Sequence, residues 1–495
     1  MPITRIGVQA PAGSPGQGVD IDPEFISATL TNAGTVAVEY STGGAWTSLA
    51  AGATSAGILA TTSQLKLRRA SGGAYPAPVD VAWLSRDGST TSIEPIVPVL
   101  SESSDNTAAV ADIIAGMTAG QTLQLPGGTY RLDITTTKGI KIVGAGRSAY
   151  AAGALWGGTI LKGQITISDA IGAEISSLSI DQTTLTPASY PNAITAGLTT
   201  TSSTTKLNQR IYDVSVLGRG YSGGTQNSQH GILVQNGRGA VVERCEAYKF
   251  LNLFISRASG VTFNDCEGWD SEANVVLFKS ESTGGANDAL DNVAKNVRGF
   301  ASTSAFFCNF TSLAQDAGGV QVTRNSKFIG CTARSVGGPA VFMAVGTVNA
   351  NSNRDTKFIG CTSSGDTNGN AFLVNDDYAD GVTFIGCHAD AFTGFSFRSN
   401  ATTATNLPTA IGCTAFRSDF PNLTNVSGAW ARIEVNGQDW DAGNTRTVAT
   451  LPSATFATRR FFVSDASSPT FGATVAGGGA VLVPVYSDGT NWKVG

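Results

Sequence analysis

The sequence predicts an all-β chain dominated by a solenoid of parallel strands, with one small β unit before it and another after it. Three observations carry that expectation. A short strand-like signature recurs from Ile175 to Phe416, its spacing stretches while the signature stays constant, and Gly, Asp or Asn falls at one fixed place in most copies. The clearest copies are FNDCEGW from Phe263, FIGCTAR from Phe328, FIGCTSS from Phe358, FIGCHAD from Phe384 and AIGCTAF from Ala410. VERCEAY from Val242 joins them, and three further copies carry Leu178, Val214 and Val297 where the others carry Cys. Steps between these anchors run from 21 to 36 residues, as expected when each copy is one turn of a solenoid and the surplus bulges out as loops.

In chain order, residues 1–95 form a separate β-rich unit. Alternating runs such as TVAVEY from Thr35 and LKLRRA from Leu65, with Gly-rich turns between, predict a small sandwich or barrel. PAGSPGQG from Pro11 reads as a mobile stretch, and Pro95, Pro98 and SESS mark a linker. SSDNTAAVADIIAG from Ser103 predicts a helix with Val110, Ile113, Ile114 and Met117 on one face, and Ser104 or Asp105 as N-cap. That helix covers the entry to the coils, which run to about residue 428.

In most coils an aromatic or β-branched residue stands three before the anchor, with Ala294 and Ala410 in its place in two. An odd separation cannot place both on one face of one straight strand, so the chain bends between them. Gly330, Gly360, Gly386 and Gly412 sit one residue before the anchor, where a bend needing positive φ wants glycine; Asp213, Asp265 and Asn296 tolerate the same conformation, and Arg244 is the exception. Coil on coil, this stacks Cys over Cys and Phe over Phe about 4.8 Å apart. Residues 429–495, with RFFVSDA from Arg460 and a run ending at Trp492, form a third, β-rich unit.

These features resemble the right-handed, single-stranded parallel β-helix of the pectate-lyase-like superfamily, including bacteriophage tailspikes, over about residues 100–425. The segment from Phe471 through Trp492 separately resembles the C-terminal stretch of many phage tail fibres and spikes. The resemblance implies a receptor-binding spike on a virion tail. It would be folded in the host cytoplasm, attached to tail or adaptor proteins by its N-terminal domain, assembled as a homotrimer, and directed at a bacterial surface polysaccharide. A non-catalytic spike and a secreted polysaccharide lyase are the alternatives; a sequence without an evident signal peptide near Met1 disfavours the second.

Composition narrows the partners. Only 14% of the 495 residues are charged, 59 are Gly and the net charge is −5, with no basic stripe for nucleic acid. No apolar run approaches the length of a membrane-spanning helix. Seven Cys is an odd count, and six of them sit in the coil signature; they read as buried free thiols rather than a disulfide framework. No metal-ligand spacing appears and no cofactor is expected. GAGR from Gly144 lacks the Lys and hydroxyl residue of a phosphate loop.

Chemistry is therefore sought on the outer face of the coils. If the anchor points inward, residues one and three beyond it point outward. One outer row then holds Glu246, Glu267 and Arg298, and the next holds Tyr248, Trp269 and Phe300. Two carboxylates about 5 Å apart suit acid and base or nucleophile in glycoside hydrolysis. The aromatics suit sugar stacking, and Arg298 an acidic sugar's carboxylate. Asp270 and Glu272, two apart on one strand face, are a second candidate pair. Ordinary ladder pairs, or aromatics covered by the loop from Gly218 to His230, explain the same residues and stay open here. Asn375, Asp376 and Asp377 resemble the paired-Asp motif of polygalacturonases, but no R-x-K partner follows; His230 and His388 suit structural roles as well as catalytic ones.

Overall fold

Each turn of a solenoid needs sharp corners, and an L-residue reaches such a corner cheaply only where its side chain tolerates positive φ. In the computed structural model the position before every anchor adopts it. Ser177 (55°), Asp213 (54°), Arg244 (51°), Asp265 (51°), Asn296 (53°), Gly330 (61°), Gly360 (59°), Gly386 (58°) and Gly412 (60°) all do so. Arg244 is thus no exception. Its guanidinium grips Asp213 of the preceding coil at 2.8 and 3.0 Å and Glu243 at 2.7 Å, and this hydrogen bonding holds the Asp213 carboxyl below the usual carboxylate range. A Cβ at Gly386 would meet nothing within 4 Å, so Gly386→Ala isolates the backbone term. We expect a loss of about 1–2 kcal/mol, read by chemical denaturation; an unchanged midpoint would remove the corner requirement.

The structure describes the chain except residues 1–2, 9–16, 21–24, 34–36, 42–44, 56–57, 60–63, 71–76, 86–96, 99, 152, 186–191, 200–204, 221–229, 282–287, 316–321, 337–338, 347–352, 366–369, 376–378, 391–395, 401–406, 417–425, 428–429, 436–437, 440–444 and 452–459. Pro11, Pro95, Asp376, Asp377 and most of the loop between Gly218 and His230 lie outside the described residues. The chain packs as two units, Met1–Leu253 and Phe254–Gly495.

The first unit opens with two four-stranded antiparallel sheets drawn from Ile3–Val8 to Ala77–Ser85. The predicted helix follows at Thr107–Gly116, with Val110, Ile113, Ile114 and Met117 buried. Its cap falls later than expected, at Asn106, whose side-chain oxygen accepts from Ser101 N instead of the helix. Asp105 accepts from Thr107 N at 2.9 Å. At the other end Lys138 Nζ donates to the carbonyls of Ile114, Ala115 and Met117, satisfying acceptors that a helix terminus leaves open. Coils follow as parallel ladders, for example Glu174–Asp181 against Arg210–Leu217 and Arg210–Leu217 against Val241–Glu243 and Glu246–Tyr248.

The second unit continues the same construction of parallel β-helix coils. Phe328 pairs with Phe358 and Phe358 with Phe384 in register, so identical side chains stack. Centroids of Phe328, Phe358 and Phe384 step by 4.9 and 5.0 Å. A second column, Phe310, Phe342, Phe372 and Phe397, steps by 4.7, 5.3 and 4.9 Å on the opposing sheet. Trp430 closes both, 5.9 Å from Phe384 and 6.4 Å from Phe397. All seven cysteines are buried free thiols, Cys308 included; it lies outside the signature, in the strand Cys308–Gln315, and burial pushes its thiol up to about 12. A four-stranded sheet ends the chain around Val463, Val483, Val485, Trp492 and Val494.

Candidate active site

Strand alternation delivers the expected outer rows, and in the second unit Glu267 pairs with Arg298 and Trp269 with Phe300 across the ladder. Arg298 Nη2 lies 3.0 Å from Glu267 Oε2, and Trp269 Nε1 donates to Glu267 Oε1 at 2.6 Å. Trp269 meets Phe300 edge-on at 4.4 Å, and the Arg334 guanidinium sits 5.9 Å from the Phe300 ring. Arg298 is largely exposed and Glu267 half-buried. The row therefore holds one carboxylate already oriented by an indole and a guanidinium.

In the first unit Glu246 is bound from three sides. Arg147 Nη2 stands 3.0 Å from Oε1, while the hydroxyls of Ser215 and Tyr248 donate to Oε2 at 3.1 and 2.9 Å. Tyr248 is not the exposed platform expected of it. A hairpin formed by Ala149–Ala151 and Ala154–Trp156 lays Tyr150 over it at 4.1 Å, leaving Tyr248 buried. Nothing in the coil signature announces this cover, although Tyr150 and Trp156 around a Gly-containing turn could have suggested it. Glu246 and Glu267 thus belong to different units, each with an arginine of its own.

The second predicted pair does not share a strand face. The strand Glu267–Trp269 ends before Asp270, which takes φ 53° and accepts from Ser302 N at 2.7 Å. Asp270 is a corner residue with its carboxylate committed to backbone. Glu272 follows in the bend before the strand Asn274–Glu281. Both of its oxygens are shielded from solvent and, among the described residues, have no hydrogen-bond partner. Burial pushes the Glu272 carboxyl above the usual glutamate range, because desolvation disfavours the charged form.

Glu272 borders a groove of about 310 Å³ shared with Leu277, Phe307, Asn309, Thr311, Leu313 and Met343. The groove lies on the outer face of the sheet carrying the second Phe column, where Leu277 pairs with Thr311 and Thr311 with Met343. Outer residues of a single-layer solenoid are expected to be polar, so this apolar strip marks a surface meant to be covered. Sequence reasoning followed the Cys signature and missed it. The available signal was NVVLFKSE from Asn274 and AVFMAVG from Ala340, runs apolar on both faces.

Other candidates fall into structural roles. His230 Nδ1 and Asn252 Nδ2 lie 3.2 Å apart and buried, and His388 Nδ1 is 2.6 Å from Thr414 Oγ1. Asn375 accepts from Asn400 at 2.9 Å. Among the described residues no group of His, Cys, Asp and Glu could hold a metal ion.

Neither a scan against protein-family models nor a search of curated proteins finds a match. Solved structures are similar in fold at low identity. An endo-xylogalacturonan hydrolase from Aspergillus tubingensis has a TM-score of 0.42 and 12% identity, over 70% of this chain and 97% of that one. The Agl-KA catalytic domain gives 0.40 and 14%, over 83% and 87%. A tailspike, gp49 of the Acinetobacter baumannii bacteriophage Fri1, a capsular polysaccharide depolymerase, gives 0.37 and 13%, over 86% and 81%. With TM-scores below 0.5, none of these likenesses transfers a reaction or a substrate to this chain.

Proposed function

We propose that the chain is a phage tailspike that binds a bacterial surface polysaccharide along the second unit and hydrolyses it, with Glu272 as general acid. The observation that carries this reading is the Glu272 carboxyl itself, desolvated, unpartnered among the described residues and bordering a groove. Hydrolysis needs two carboxyl groups in contrasting environments. Glu267, oriented by Arg298 and Trp269, is the carboxylate we assign as base or nucleophile, with Trp269 and Phe300 beside it as sugar contacts. Glu246 drops out of the mechanism, because Arg147, Ser215 and Tyr248 already occupy it.

Attachment to the virion through the N-terminal sheets and assembly as a homotrimer belong to the same reading. They rest on the resemblance to tail fibres and spikes, joined by the exposure of Phe471 and Leu482 in the C-terminal unit. Light scattering that returned the mass of a single chain would remove the trimer.

The functional test presents purified protein to capsules, O-antigens and exopolysaccharides from a strain panel, following reducing ends together with absorbance near 235 nm. New reducing ends without absorbance are the expected result, lost in Glu267→Gln and kept in Glu246→Gln. Rising absorbance would replace hydrolysis by β-elimination. Binding to a polysaccharide with neither signal would favour the non-catalytic spike, a reading that the ion pairing of both Glu246 and Glu267 also suits.

A further inference from the structure

The Glu272 groove contains a second unmet polar atom. Asn309 Nδ2 donates to Ala273 O at 2.8 Å, which fixes the orientation of the amide, and its Oδ1 is buried with no partner among the described residues. One end of the groove thus offers an acceptor at Asn309 and a carboxyl at Glu272, while Leu277, Leu313, Met343 and Val345 form its apolar surface. Among the described residues no Lys or Arg lines it. Its volume sits at the lower end of the range for small-molecule sites.

We propose that this groove is a subsite for the acetamido group of an N-acetylated amino sugar. Asn309 Oδ1 receives the acetamido N–H and the methyl group rests on Leu277, Leu313 and Met343, while the Glu272 proton stays available to the glycosidic oxygen. The inference deepens the proposed function and rests on the polysaccharide reading of this site.

The alternatives meet specific costs. A sugar carboxylate would enter a groove with no cation and face the Asn309 carbonyl oxygen. A plain hydroxyl would leave the apolar strip uncovered. An acetamido group supplies an N–H for Asn309 and a methyl for the strip, matching each kind of surface it meets. Burial keeps Glu272 protonated to higher pH than an ordinary glutamate, which preserves its role as donor. Its oxygens are covered, and its position in a bend, outside the flanking strands, allows the side chain to turn toward an arriving sugar.

The test is saturation-transfer NMR on the full chain with N-acetylglucosamine, N-acetylgalactosamine and N-acetylmannosamine, beside the three free amino sugars. We expect the acetyl methyl to receive the strongest saturation for at least one sugar and its free amine to bind roughly tenfold more weakly, as loss of a buried hydrogen-bonded group implies. Asn309→Leu should weaken that sugar by a similar factor. Glu272→Gln leaves the acetamido contacts in place and should retain binding. If Asn309→Leu fails to fold, Met343→Gln, which puts a polar end on the apolar surface, is read in its place. Ring protons saturated as strongly as the methyl, or free amines binding equally, would overturn the subsite. Loss of the subsite with polysaccharide hydrolysis still dependent on Glu272 would leave the proposed function standing. Methyl saturation with no polysaccharide cleaved would keep the subsite and remove the hydrolase.

Discussion

Glu272→Gln is expected to lower polysaccharide cleavage by roughly 10²–10⁴-fold, the usual contribution of a positioned general acid, while leaving glycan binding in place. Two pH signatures accompany it. Wild-type cleavage should fall as pH rises through the Glu272 pKa, which burial holds above the ordinary glutamate value, because the acid must enter the reaction protonated. Stability should move the same way. With the folded pKa above the unfolded one, the folded state binds more protons in the interval between them, so unfolding free energy decreases as pH rises through it. Glu272→Gln removes that loss, and its stability relative to wild type should grow from about pH 4 upward. Thermal unfolding at several pH values, run beside reducing-end assays, checks both. An inactive variant with no pH-dependent gain would mean that Glu272 is not desolvated; a variant with the gain and full activity would mean that it is not the acid.

Phe358→Ala is expected to cost about 3–5 kcal/mol, the range for removing a buried Phe. Phe358 is fully buried, stacks 4.9 Å from Phe328 and 5.0 Å from Phe384, and meets Phe342 edge-on at 6.0 Å. The rigid coils above and below cannot collapse into the hole, so the cavity term stays large. Hydrogen exchange of the amides in Lys357–Ile359 reads the loss in that coil directly. Phe358→Leu should recover much of it by refilling volume. Protection unchanged in the alanine variant would mean that the ladders, and not the aromatic column, hold the coil.

The sequence exposed the corners and the first Phe column because both obey one local rule. A residue before each anchor must reach positive φ, and glycine, aspartate or asparagine is the chemical mark of that demand. Ser177 and Arg244 broke the rule in sequence and not in structure; the Arg244 clamp on Asp213 forms between coils and leaves no local mark. The second column, Phe310 to Phe397, was illegible for a related reason: its strands carry no corner residue at a fixed offset, and their spacing follows the variable loops. Site residues fared according to what surrounds them. Glu267, Arg298, Trp269 and Phe300 met as alternation required. Asp270 and Glu272 were read as one strand although a turn separates them, and Tyr248 was read as exposed because the hairpin over it begins about a hundred residues earlier. The Glu272 groove depends on which outer face is apolar, a property of three strands together and of no single motif.

The in-register pairing of Phe328 with Phe358 and Phe358 with Phe384 bears on the order in which the molecule can be made. Every rung finds its partner some 21 to 36 residues back along the polypeptide, so a nascent chain leaving the ribosome already holds the template for its next turn. Growth can proceed vectorially, each newly emerged segment zipping onto the last completed one. The unfinished front is an open strand edge carrying an exposed aromatic ring, a surface prone to join a neighbouring nascent chain. Trp430, lying over both columns near the end of the coils, removes that hazard only once the final turn has been synthesised.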